Sequence, residues 1–297
     1  MFRNLRFYRL PSPWPKTEQE LSEKLSQQPF TPCAAHAELS AGWEPPAGEE
    51  HALLCRRLAG ADLVQLRTQT RILPAAAVKE ALQERLAEYR ARMEQEPPRG
   101  ELRRLKEQTR DQLVPRALVK SERTRAYFLQ SESLLAIDAA SAAGAEWLLD
   151  HLRHCLGRFQ CVPLAFNKPP AEFLTGIFLG RTVARFGLGR ECRMQDPMDS
   201  KSIATWRDID LTDPSIHKHV TGGMKLTHLG IVYDEIMSSV FSTDAVLGKV
   251  KFLSGEAVDT ADGEDPQVRL DTDFVLLSGT IRRLLEDLAK HLGGITH

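Results

Sequence analysis

Two helical stripes punctuated by prolines constrain this chain more than any other feature. From about Ala75 to Met93, the residues Val78, Leu82, Leu86, Tyr89 and Met93 recur on one helical face, and Pro97, Pro98 and Gly100 then break the run. A second stripe, Leu102, Leu105 and Leu113, continues to about Val114, while Arg99, Arg103, Lys106 and Arg110 recur at helical spacing on another face. Pro115 ends it. Helices joined by so short a break fold back on each other, so residues 74–114 are predicted to form an antiparallel helical hairpin.

The flanking sequence is extended. Arg3 to Leu10 reads as a strand, Pro11 to Pro15 as a turn, and Thr17 with Glu20 three residues later as a capping box that opens a helix. Extended pieces are expected around Phe30 to Cys33. Leu63 to Arg71 alternates, with Gln65, Arg67, Gln69 and Arg71 on one face and Val64, Leu66 and two threonines on the other. Arg123 to Gln130 and Ser133 to Ala139 form an expected β-hairpin, followed by a helix from about Ala142 to Leu156 and an apolar strand, Cys161 to Phe166. This strand–helix–strand order repeats that of the N-terminus, which leaves an internal duplication open.

Asn167 to Pro170 reads as a linker. Beyond it lie short extended segments and turns, a strand pair at Leu226 to Tyr233 and Val250 to Leu253, a strand at Phe274 to Leu277, and a final helix. The stripe of that helix is Ile281, Leu284, Leu285, Leu288 and Leu292, between Ser278 and Gly293. The expected fold class is α+β, a multi-lobed protomer with antiparallel sheets and a protruding helical hairpin. Its predicted parts are a central α+β domain (1–73 plus 115–166), the tip (74–114) and a base α+β domain (167–297).

With 297 residues and 42% hydrophobic content the chain can bury a substantial core. It has no apolar run of about 18 residues, and the opening segment with Arg3, Arg6 and Arg9 lacks a secretory apolar block, so a cytoplasmic protein without membrane contact is expected. The five cysteines, Cys33, Cys55, Cys155, Cys161 and Cys192, contain no C-x-x-C pair and sit in apolar stretches, as reduced packing thiols do.

A formal net charge of −1 argues against nucleic acid, but the charge is unevenly placed. From Arg99 to Arg125 nine basic residues face four acidic ones, whereas from Ser254 to Asp273 seven acidic residues are opposed only by Arg269. Such a polarised chain has one region suited to meet phosphate and another suited to avoid it. Arginine and lysine displace condensed counterions from a phosphate backbone, which needs charge density rather than base-reading geometry. The candidate DNA-binding residues are Arg6, Arg9, Arg67, Arg71, Lys79, Arg116, Lys120, Arg123 and Arg125, each weighed against a solvated surface charge or a local ion pair such as Glu107 with Arg103 or Arg110. No paired C-x-x-C and histidines, basic zipper or aromatic RNA-binding run points to base-specific readout.

Catalytic patterns are weaker. His151, His154 and Cys155 on one predicted helix, and His217, His219 and His228 around Gly222, match no established metal spacing, so neither a metal nor a cofactor is expected. Asp271 and Asp273 read better as a solvated strand entry than as a carboxylate pair. Gly187-Leu188-Gly189 lacks the third glycine of a dinucleotide loop, and the acidic stretch Glu256 to Asp265 lacks calcium-loop spacing.

Several ordered fragments carry a resemblance. They are Asn4-Leu5-Arg6-Phe7-Tyr8-Arg9-Leu10, Phe30-Thr31-Pro32-Cys33, Gly42-Trp43 with Pro45-Pro46, Ile72-Leu73-Pro74, Leu113-Val114-Pro115-Arg116-Ala117, Val162-Pro163-Leu164, Leu211-Thr212, and Leu270-Asp271-Thr272-Asp273-Phe274 with Gly293-Gly294. In that order, nearly end to end, the chain resembles the bacterial recombination-associated RdgC family. The resemblance implies a non-enzymatic, nucleoid-associated homodimer, closed into a ring around double-stranded DNA, binding single strands more weakly and restraining the RecA recombinase indirectly by occupying its DNA. It implies ring closure at the tip, with Leu118 a dimer-interface candidate, and by the lobe after Asn167. Leu118 stands where relatives carry an aromatic, and Asp208 and Ile209 where they carry basic or amide residues; an apolar Leu118 can still pack at a tip interface, whereas Asp208 would repel phosphate. Two rival classes remain, a metal-dependent nuclease and a protein-interaction scaffold built on the helical hairpin. Cutting of DNA with magnesium would mark the first, and partner binding that survives charge reversal but not a charge at Leu82 or Leu105 the second.

Overall fold

The computed structural model describes residues 2–48, 51–157, 159–253 and 265–296. In chain order the elements are β1 (Leu5–Arg9), α1 (Glu18–Leu25), β2 (Leu39–Glu44), β3 (Cys55–Leu58), β4 (Ala61–Ile72), α2 (Ala75–Met93), α3 (Arg99–Leu113), a 3-10 turn (Val114–Arg116), β5 (Leu118–Leu129), β6 (Leu134–Asp138) and α4 (Ala142–Leu156). There follow β7 (Val162–Pro163), α5 (Pro170–Phe178), β8 (Phe186–Gln195), β9 (Ile203–Arg207), α6 (Pro214–Thr221), β10 (Lys225–Tyr233), β11 (Met237–Ser242), β12 (Leu247–Phe252) and α7 (Pro266–His291).

Local chemistry explains several boundaries. Thr17 caps α1 by accepting the Glu20 N–H, and Glu20 in turn accepts the Lys16 N–H at 3.0 Å. Ser141 caps α4 in the same way. Helix α2 ends where Glu94 turns left-handed at φ 52°, and α3 restarts after Pro98. The pair packs together, Arg85 donating to Gln112 across it.

The strands join in one antiparallel sheet of order β2-β4-β5-β6-β1-β12-β11-β10-β8-β9, with β3 on β4 and β7 on β1. Its long ladder is β4 with β5, running from Ala61 opposite Leu129 to Ile72 opposite Leu118. Alternation sends side chains to two cores. One face, with Leu5, Phe7, Leu63 and Tyr127, packs with Leu229, Phe241 and the buried sides of α5, α6 and α7. The other, with Tyr8, Val64, Leu66 and Ile137, packs under α1 and α4. Asp62 is fully buried and accepts from Arg57 Nε at 2.5 Å, Trp14 Nε1 at 2.7 Å and Gln130 Nε2 at 3.0 Å, pinning the proline-rich turn to the end of β4.

Several expectations are corrected. Phe30 to Cys33 is not a strand. Pro29 only bridges Trp43, and Gly42 is required there because a Cβ would lie 2.5 Å from the Pro29 carbonyl oxygen. The strand is the neighbouring β2, whose Gly-Trp-Glu run shows no alternation of hydrophobicity. Phe274 to Leu277 is helical, because Phe274, Leu277, Ile281, Leu284 and Leu288 form one buried stripe of α7, and Ser278 lies buried within the helix instead of capping it. The strand pair expected from β10 and β12 has β11 between its members. Helices α5 and α6 replace expected extended segments, and Cys161 to Phe166 shrinks to β7. The supposed linker is held in place, since Asn167 and Lys168 donate backbone N–H to Gly294 and Leu292. One continuous sheet stands where several were expected. The acidic run 256–264 lies outside the described residues.

Candidate nucleic-acid interface

The polar half of the β4–β5 ladder gathers the arginines. Arg67 faces Arg123 and Gln65 faces Arg125 in register, on the face that deeper in the sheet carries Leu63 and Tyr127. Like charges placed directly opposite repel, so the arrangement needs a counterion. Glu44, brought alongside by the β2–β4 ladder, supplies it. Its carboxylate accepts from Arg123 Nε at 2.6 Å, Gln65 Nε2 at 2.9 Å and Arg67 Nη1 at 3.3 Å. Arg67 also lies over the Phe30 ring, 4.5 Å from its centroid, and is largely buried.

Arg125 is held differently. Its Nε donates to the neutral Gln65 amide at 2.6 Å. Burial, reinforced by Arg123, pushes this guanidinium below its ordinary value, so its charged form is under-compensated and stands to gain from an arriving anion. Arg67 and Arg123 thus share the Glu44 carboxylate, with Arg125 beside Arg123 on the same face and Arg123 half exposed. Planar, permanently charged forks of this kind suit phosphate oxygens.

The other candidates disperse. Arg71 faces inward, donating to the carbonyls of Cys33, Ala34, Ala37, Pro115 and Ala117, and so clamps the strand end to the base of the helix pair. Arg9 alternates onto the face of Phe7 and is half-buried, whereas Arg6 emerges on the opposite face and donates to the Ala140 carbonyl at 3.3 Å. Lys120 pairs with Glu122 at 2.5 Å. Lys79 on α2 and Arg116 in the 3-10 turn are exposed and make no ion pair among the described residues. The basic helical run is locally neutralised, Arg103 by Glu107, Arg104 by Glu101 and Arg110 by Glu38. Glu44, which organises the cluster, was not anticipated, because its role follows from strand register and leaves no local pattern.

Leu118 is 78% exposed, and Ile72 opposite it and Leu39 on β2 are each 46% exposed on the same face. These three apolar side chains are thus left facing solvent at one end of the sheet. Asp208 sits in a left-handed turn at φ 56°, and Ile209 packs against the core.

The catalytic candidates are otherwise engaged. His151 Nδ1 meets the Trp147 carbonyl at 2.8 Å, His217 Nε2 meets that of Leu211 at 2.9 Å, and His219 lies on Trp206. Asp271, on α7, is ion-paired to Arg56. Among the described residues no three His, Cys, Asp or Glu side chains are grouped to hold a metal. All five thiols are free, and burial pushes Cys55 and Cys161 up to about 12 and Cys192 up to about 11.

A family model described as "Putative exonuclease, RdgC" matches residues 1–295. Among curated relatives, the recombination-associated protein RdgC of Stenotrophomonas maltophilia is 32% identical over 288 residues, covering 95% of both chains. That of Dechloromonas aromatica is 30% identical over 303 residues, covering 99% of this chain and 97% of its own. The protein of the same name from Aeromonas hydrophila is 30% identical over 296 residues, 99% of this chain and 98% of its own.

Proposed function

Because the chain belongs to the RdgC family, we propose that its recombination-associated role is carried out by gripping the phosphate backbone of double-stranded DNA without reading sequence. In this reading two copies close a ring around the duplex and limit the access of the RecA recombinase by occupying its DNA, with no chemical step. The helix pair α2–α3 acts as a hairpin tip on the central part, and residues 167–297 form the base. The observation that carries the reading is the Arg67–Arg123–Arg125 group, three guanidinium groups gathered on one face of a long ladder, with Arg123 half exposed and Arg125 held by a neutral amide. Its place is with the nucleoid, and no described helix is long and apolar enough to cross a membrane.

The test is fluorescence anisotropy with a labelled duplex and a scrambled duplex of equal length. Their affinities should agree within about twofold, since a sequence reader would lose roughly 1–3 kcal/mol for each altered base pair. Single strands should bind more weakly because their charge density is lower. The duplex should stay intact when magnesium or manganese is added. Its degradation would replace passive binding with nuclease action.

Self-association is assigned to the Leu118 patch. Leu118→Asp, a fully tolerable change for an exposed side chain in the isolated protomer, should shift the molecular mass measured by light scattering from dimer towards monomer at micromolar concentration. An unchanged dimer would place the contact elsewhere.

A further inference from the structure

The sheet face on which Arg6 emerges is roofed by α1 and α4, and that roof stops at β1. Among the described residues no helix packs on this side of β12, β11, β10, β8 and β9, because the core members of α5, α6 and α7 all belong to the opposite face. The uncovered part forms a groove of about 480 Å³. Its cations come from four strands: Arg6 on β1, Arg193 on β8, Arg207 on β9 and Lys249 on β12. The floor between these cations mixes Thr205, Ser242 and Gly248 with Val240 and Val246, and His228 also lines it.

The charges are incompletely matched. Glu191 takes Lys249 directly and Arg207 at 3.5 Å, and Asp244 is the other carboxylate at the groove. The backbone carbonyl of Arg193 accepts from Thr227 Oγ1 at 3.1 Å, but among the described residues its guanidinium makes no hydrogen bond or ion pair, although it lies on β8 between the β9 and β10 strands that carry other polar groups of the groove. Four cations therefore face two carboxylates, in an open channel. What such a channel can hold is a repeated anion that approaches the sheet backbone closely.

We propose that this groove is a second phosphate-backbone site, in which Arg6, Arg193, Arg207 and Lys249 hold phosphodiesters of a nucleic-acid strand, on the face of the sheet opposite to Arg67, Arg123 and Arg125. It rests on the reading of the chain as a DNA binder. None of Arg193, Arg207 and Lys249 stands in the basic run of the sequence, and β-sheet register alone brings them together. Glu191 limits the site by occupying two of its cations.

The experiment is duplex binding by fluorescence anisotropy across a salt series, with the full chain and two variants. Replacing Arg193 and Arg207 by alanine should weaken binding and flatten the log–log salt slope by about 1.8, the share of two phosphate contacts. Glu191→Gln keeps the side-chain shape while releasing Lys249 and Arg207, and should tighten binding about fivefold. A folding defect would not produce that gain. If the wild-type chain binds duplex while both variants keep its affinity and slope, the groove is not a DNA site and the DNA-binding reading stands without it. A wild-type chain that fails to bind duplex at low salt overturns both. Displacement of the duplex by millimolar inorganic phosphate, at ionic strength matched with chloride, would make the groove a free-phosphate site and overturn the backbone assignment.

Discussion

Duplex affinity should fall about a thousandfold between roughly 50 and 200 mM salt, because about six neutralised phosphates give a log–log slope near −5.4. Six of the nine candidate cations supply these contacts in this reading, and Arg71 is structural. Arg123 and Arg125 are the members whose contribution should be easiest to isolate. Arg123 is half exposed beside Glu44, and among the described residues the Arg125 guanidinium is bonded to the neutral Gln65 amide, so both keep charge to offer. Replacing both with alanine should flatten the slope by about 1.8 and weaken binding equally for all sequences. Arg71→Ala should behave in the opposite manner, leaving the slope nearly unchanged while lowering thermal stability, because its guanidinium satisfies backbone carbonyls at the base of the helix pair. Arginine keeps its charge throughout the accessible range, so binding through these groups should be flat with pH above neutrality. Salt-independent binding would remove phosphate contact as the source of affinity.

The largest stability loss is expected at Asp62. Its carboxylate is fully buried and holds Arg57, Trp14 and Gln130 together, and Arg57 also reaches the carbonyls of Pro15 and Lys16. Removing one partner of a buried ion pair leaves the other without compensation and costs about 3–5 kcal/mol. Arg57 retains some solvent contact, its side chain being 23% exposed, so the lower end applies. Asp62→Ala should therefore lower the melting temperature by roughly 6–12 °C in calorimetry. Trp14, which stacks on Phe128 with centroids 4.3 Å apart, should report the loosened turn through its fluorescence. A shift of only a degree or two would mean that the network contributes little beyond its packing. DNA affinity measured well below the transition should change little, since none of these groups belongs to either arginine surface.

Helices α2, α3 and α4 were legible in the sequence nearly to the residue. Helical period, capping residues and proline or glycine punctuation act within a few residues of one another, so a linear reading captures them. The alternation of β4 was equally clear. Its partner β5 begins five residues before the expected start at Arg123, because Leu118 to Glu122 are exposed and are held in the strand by pairing with β4. Phe274 to Leu277 misled because a short apolar run looks alike in a strand and in a helix, and only the continuing buried stripe of α7 distinguishes them.

The basic segment between Arg99 and Arg125 shows the same division in functional terms. The sequence by itself determined how much charge was available, which residues carried it, and which ones faced together along a single strand or helix. It did not determine their partners. Glu38 neutralises Arg110 and Glu44 holds Arg67 and Arg123 from far away in the chain, while Arg193, Arg207 and Lys249 meet only across separate strands. Local conformation is set by interactions a few residues long, whereas counterions and surfaces are chosen by strand register and by which face of the sheet each helix covers. Those choices belong to the tertiary structure.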